Sequence, residues 1–168
     1  MKRFILIRGP PASGKTTIAR CLRDVLGKAV MFDADHFVRC FGGNASSLSD
    51  KYLAYEIILR ICRDFFVKDG WDIIIGDSLL VEKRTDLFTK FFEKYGYTSY
   101  IFTLTSDFET LTERYKFRER CDALEDEKIK KLMYTFDDAE SKTVVIDTRK
   151  ISKKRALKII LETLYQKS

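Results

Sequence analysis

Short apolar runs recur along the chain, each closed by glycine, aspartate or a charged residue, with longer amphipathic stretches between them. Residues 4–7 run apolar and stop at Gly9, Pro10 and Pro11, and residues 29–32 end in Asp33. Residues 73–75 end at Gly76 and Asp77, and residues 100–104 and 144–146 complete a set of five. Runs this short, continuously apolar and rich in β-branched residues predict strands buried on both faces of a parallel sheet. Helical spacing predicts helices over 15–26, 50–68, 82–95, 108–120, 125–136 and 152–165. In the last of these Ala156, Ile159, Ile160 and Thr163 or Leu164 share one face, with Ser152 placed to cap it. Residues 41–49, FGGNASSLS, are too polar and glycine-rich to extend either neighbour. The alternation predicts a single three-layer α/β/α domain around a mainly parallel five-stranded sheet.

Composition agrees with that frame. At 168 residues, 45% apolar and 33% charged, one core suffices without disulfides or a structural metal. The net charge of +6 suggests a nucleic-acid binder until the charges are located. Residues 1–28 and 149–168 each carry +6, and the long middle carries −6, so the basic total does not describe a basic groove. Cys21, Cys40, Cys62 and Cys121 form no CxxC pair, and His36 is the sole histidine, which argues against zinc. Lacking a signal-like core or a membrane-length apolar stretch, the chain is expected to be cytoplasmic, with reduced thiols and no membrane partner.

The chemistry starts at Gly9-Pro10-Pro11-Ala12-Ser13-Gly14-Lys15-Thr16, which reads GxxxxGKT between an expected strand and an expected helix. This is the P-loop pattern, in which backbone N–H groups converge on phosphates at a helix N-terminus. Pro10 and Pro11 have no N–H, so the donors come from Ala12, Ser13 and the residues through Thr17. Gly14 allows close approach, Lys15 reaches the β and γ phosphates, and the Thr16 hydroxyl can ligate Mg²⁺. The fold class is therefore expected to be a P-loop NTPase, with ATP and Mg²⁺ as its cofactors. A signalling GTPase would need an NKxD motif, and the one asparagine, Asn44, is followed by alanine. Asp24 to Gly27 matches DxxG only as text, because it falls inside the first helix.

Acceptor chemistry is expected at the strand ends, which face the ligand crevice in open α/β sheets. Asp35 is the candidate general base for an attacking hydroxyl, with Asp33 on the metal side or in a structural role. Either aspartate could instead cap a helix. His36 is read as a partly buried neighbour of the pocket. Asp77 could hold a metal-bound water, tie down the P-loop or cap the following segment, and Arg84 is expected to be solvated. Arg114 and Arg118, at i and i+4, share a helix face and could close over the transferring phosphoryl group, although Glu109, Glu113 and Glu119 also fit a solvated helix.

Together these residues resemble the kinase domain of bacteriophage-type polynucleotide kinase and its relatives, the zeta toxins and chloramphenicol phosphotransferase. The similarity runs from FILIRGPPASGKTTIAR through DADHF and IIIGDSLLVEKR to FTLTSDFETLTERYKFRER and DEKIKKLMYTF. It implies Lys15 and Thr16 at phosphates and metal, Asp35 as general base, and Arg114 and Arg118 as a clamp in a helical lid at about 107–138. The family's aspartate-threonine-asparagine signature becomes Asp77-Ser78-Leu79, and the arginine it carries three residues after the base is replaced by Val38, with Arg39 one position on. The expectation is an ATP-dependent kinase acting on a hydroxyl, either a short nucleic-acid 5′ end or a small molecule. A nucleotide-binding regulatory module and a nucleic-acid binder are the alternatives. The aromatics are spaced like core residues, which weighs against the last.

Overall fold

Strands form where the apolar runs fall: β1 (Arg3–Arg8), β2 (Ala29–Asp33), β3 (Asp72–Asp77), β4 (Thr98–Thr105) and β5 (Thr143–Asp147). The computed structural model describes residues 1–44, 47–77, 82–116 and 143–166. All strand pairs are parallel, in the order β2-β3-β1-β4-β5. The strands outrun the apolar runs by up to two residues, because the ladder continues into polar ends such as Thr98 and Asp77.

Around the sheet lie α1 (Lys15–Leu26), α2 (Ala34–Cys40), α3 (Leu48–Ile61), α4 (Glu82–Glu93), α5 (Phe108–Lys116) and α6 (Lys153–Gln166). The helix expected over 50–68 divides, with α3 giving way to a π-helical turn at Cys62–Phe66. α3 also starts two residues inside the stretch expected to be loop, at a boundary where the Asp50 N–H donates to Ser47 Oγ. α2 is absent from the expected helices, being seven residues long and partly polar; it starts because Asp33 caps it, accepting the His36 N–H at 3.0 Å. Ser152 caps α6 as expected, accepting the Arg155 N–H. The expected helix over 125–136, with Arg118 and Arg120, lies outside the described residues.

Alternation along β1 divides the interior. Phe4 and Leu6 face a core with Ile73, Ile75, Tyr55 of α3, and Phe88 and Phe92 of α4. Ile5 and Ile7 face the opposite core with Ile74, Phe102, Leu22 of α1 and Ile160 of α6. β1 therefore sits mid-sheet, with β3 and β2 on one side and β4 and β5 on the other. The chain leaves β1 towards one half and returns later to the other, so a crevice opens beyond the carboxyl end of β1. Among the described residues no helix is long and apolar enough to cross a membrane.

Candidate active site

The loop leaving β1 needs unusual backbone. Gly9 has φ +151°, and a Cβ there would run into the Leu104 carbonyl of β4 and lie 2.8 Å from Ser13 Oγ. Gly14, at φ +96°, precedes α1, while Ala12 holds φ +64° without a glycine's freedom. The Ser13 N–H donates to the Pro10 carbonyl at 3.2 Å, closing the turn and aiming the start of α1 across the crevice. Lys15 Nζ also donates to the Pro10 carbonyl, at 2.7 Å, so the ammonium lies over the loop that a phosphate would fill. Thr17 is exposed beside it. Gly9→Ala is expected to destabilise the fold by at least about 1–3 kcal/mol through backbone strain, with the collision at Leu104 adding to it; urea denaturation checks this.

Beside the loop, Thr16 Oγ1 donates to Asp33 Oδ2 at 2.9 Å. Asp33 thus serves as helix cap and as partner of the P-loop threonine at once. Two residues on, in the first turn of α2, Asp35 meets Lys51 of α3, whose Nζ is 3.0 Å from Asp35 Oδ1 and 3.7 Å from Asp77 Oδ1. Asp77 is wholly buried at the end of β3, and burial pushes its carboxyl above the usual range, opposed in part by Lys51. Sequence reasoning passed over Lys51. Its signal was position: residues 51, 54, 55, 58 and 59 form the buried stripe of α3, and a lysine on such a stripe has a reason to be there.

Other expectations shift. His36 is exposed, Val38 is fully buried, and Arg39 points outward, so no α2 arginine enters the site at the position the resemblance marks. The Arg84 side chain lies outside the described residues. Arg114 is turned to the far side of the P-loop, where Nη1 donates to Thr148 Oγ1 at 3.1 Å and Nη2 to the Thr148 carbonyl at 3.0 Å.

That contact borders a cavity of about 320 Å³ lined by Gly14, Thr17, Arg114, Thr148, Ile151 and Ala156 among others. It lies beside the start of α1, with the loop after β5 forming one wall. This loop is pinned by Arg149, which donates to Asp147 through its backbone N–H and guanidinium and lies 3.3 Å from Asp107 at the root of α5. Arg149 holds the Asp147 carboxyl down from 3.8 to about 2. A depressed carboxylate contributes stability above its unfolded value and loses it as pH falls through the folded one. The Tm difference between the wild type and Asp147→Asn is therefore expected to shrink as pH falls from about 4 towards about 2, as followed by thermal melts.

The donors suit a hard cation. A threonine hydroxyl already bonded to a carboxylate matches an ion that prefers oxygen and keeps most of its waters. Among the described residues no cluster of three His, Cys, Asp or Glu side chains that could hold a metal ion exists.

Fold and loop together define a P-loop nucleotide-binding α/β domain. A family model described as an AAA domain matches residues 4–139, and the chain belongs to that family. Comparison with curated proteins gives no match. Among solved structures, a sugar kinase from Janibacter sp. is similar at TM-score 0.75 and 21% identity, over 98% of this chain and 95% of that one. A gluconokinase from Sinorhizobium meliloti follows at 0.69 and 16%, over 99% and 98%. A shikimate kinase from Acinetobacter baumannii, solved with shikimate, reaches 0.68 and 17%, over 100% and 96%. These likenesses establish a shared fold.

Proposed function

We propose that this protein is an ATP-dependent phosphotransferase that moves the γ-phosphoryl group to a hydroxyl of a small polar molecule. The observation that carries the reading is Asp35. A carboxylate two residues beyond the aspartate that bonds Thr16, held by a buried lysine, is superfluous in a protein that only binds nucleotide. In the reaction the acceptor oxygen attacks the γ-phosphorus, its proton passes to Asp35, the new P–O bond forms, and the bond from the γ-phosphorus to the bridging oxygen breaks to release ADP. Lys15 and the N–H groups of Ala12, Gly14, Thr16 and Thr17 bind the phosphates, the Ser13 N–H being held by the Pro10 carbonyl. Thr16, with Asp33 bonded to it, would hold Mg²⁺, which when bound neutralises phosphate charge, while the wholly buried Asp77 anchors Lys51. The adenine of ATP would lie in the cavity walled by Thr148 and Ile151, with Arg114 at its edge, and Arg118, which lies outside the described residues, is the second residue of the clamp that the resemblance implies.

The names of the similar structures, kinases of sugars, gluconate and shikimate, support a small-molecule acceptor over a polynucleotide 5′ end. So does the buried Val38 where an acceptor-phosphate arginine would stand. The free thiols Cys21, Cys40 and Cys62 suit a reducing, cytoplasmic setting. Incubation with γ-labelled ATP, Mg²⁺ and separate sugars, polyol acids, nucleosides and 5′-hydroxyl oligonucleotides tests the reading. Label is expected in a small molecule; label in oligonucleotides alone would restore the polynucleotide reading, and label in none would refute transfer.

A further inference from the structure

Lys51 occupies a place where a lysine is hard to keep. It lies on the core stripe of α3 with Ala54, Tyr55, Ile58 and Leu59, and only 9% of its surface is exposed. Taking an ammonium out of water costs several kcal/mol even after relaxation, and a buried ion pair often stabilises no better than apolar residues of similar volume. Its partners come from two further elements, Asp35 from α2 and Asp77 from β3, so one ammonium joins the three pieces of backbone that frame the acceptor side. The two carboxylates are unequal. The Asp77 side chain is wholly buried and can serve only as an anchor, whereas the Asp35 side chain keeps 32% exposure and can meet a ligand.

We infer that Lys51 is a positioning residue, which, anchored on Asp77, holds the Asp35 carboxylate in the orientation from which it takes the acceptor's proton. The inference rests on the kinase reading and adds a residue to it. Lys51 does not touch the nucleotide; it fixes the rotamer of the group that meets the acceptor. Without it, Asp35 turns freely at the start of a short helix, and the hydroxyl loses its aligned partner.

Steady-state kinetics of Lys51→Met and Lys51→Arg with the acceptor identified above test this. Misplacing a reacting group by about 1 Å costs about 10²-fold, so Lys51→Met is expected to lose about that factor in kcat, with the KM for ATP changed by less than about 2-fold. Lys51→Arg keeps the charge and is expected to regain most of the loss. Unchanged kcat in Lys51→Met would overturn the inference. So would a loss matched by equal losses of ATP affinity and Tm that arginine does not repair, because that marks a purely structural ion pair. Lys51→Met leaves Asp77 buried without its ammonium; where it fails to fold, Lys51→Met with Asp77→Asn removes that charge too, and wild-type kcat in the double variant would equally overturn it. A wild type that phosphorylates nothing would defeat the kinase reading instead. The clamp is then read from the ¹⁵N signal of the Lys51 ammonium. A distinct signal that Asp35→Asn shifts is expected, and one averaged with exposed lysines contradicts it.

Discussion

Asp35→Asn is expected to lower phosphoryl transfer by about 10²- to 10⁴-fold, the range that general-base catalysis supplies, with nucleotide affinity little changed. Asparagine keeps the shape of the side chain and removes its ability to take a proton. The carboxylate that bonds the P-loop threonine, Thr16, is Asp33. Binding and transfer are thus separable by one substitution. Titration with a fluorescent ATP analogue and single-turnover transfer on the same preparation check this. Full activity in Asp35→Asn would mean that another group accepts the proton.

Lys15→Met is expected to act on the opposite half of the reaction, lowering kcat by about 10²- to 10³-fold, as for loss of a charge-matching donor at the transition state, and weakening ATP. Lys15 Nζ donates to the Pro10 carbonyl at 2.7 Å, a bond that is replaceable by water at a partly exposed site. Losing it is expected to cost the unliganded protein about 1 kcal/mol or less. The rise in Tm that ATP gives the wild type through binding to the folded state alone is expected to fall or vanish. Melts with and without Mg-ATP measure both effects.

The P-loop was legible because everything it needs lies within one window. Gly9, Gly14, Lys15 and Thr16 sit on a strand-to-helix turn whose conformation the glycines permit, and the structure has that turn. The strands were legible for a similar local reason, since burial on both faces writes an unbroken apolar run. Lys51 was hidden because its meaning depends on two residues far away in sequence, Asp35 and Asp77, which only the packing of α3 against α2 and β3 brings together. Arg114 shows the same limit differently. Its spacing from Arg118 placed it on a helix face, but its direction was set by Thr148, on a loop 34 residues later. α2 escaped because seven residues barely express a helical period, although its cap, Asp33, was weighed as one.

The opening distribution of charge also takes a physical form. The basic start of the chain contributes Lys15 to the phosphate loop, while the basic end contributes α6 beside the cavity, where Lys153 lies on the lining. The acidic middle contributes Asp33, Asp35 and Asp77.

The most direct test of the central claim is the phosphorus balance of the reaction. Purified protein, Mg-ATP and the acceptor that takes label are followed by ³¹P NMR. The account predicts ADP and a new phosphomonoester appearing in equal amounts, with both absent in Asp35→Asn. ATP that binds but stays intact, or ADP that forms with inorganic phosphate and no ester, would contradict it.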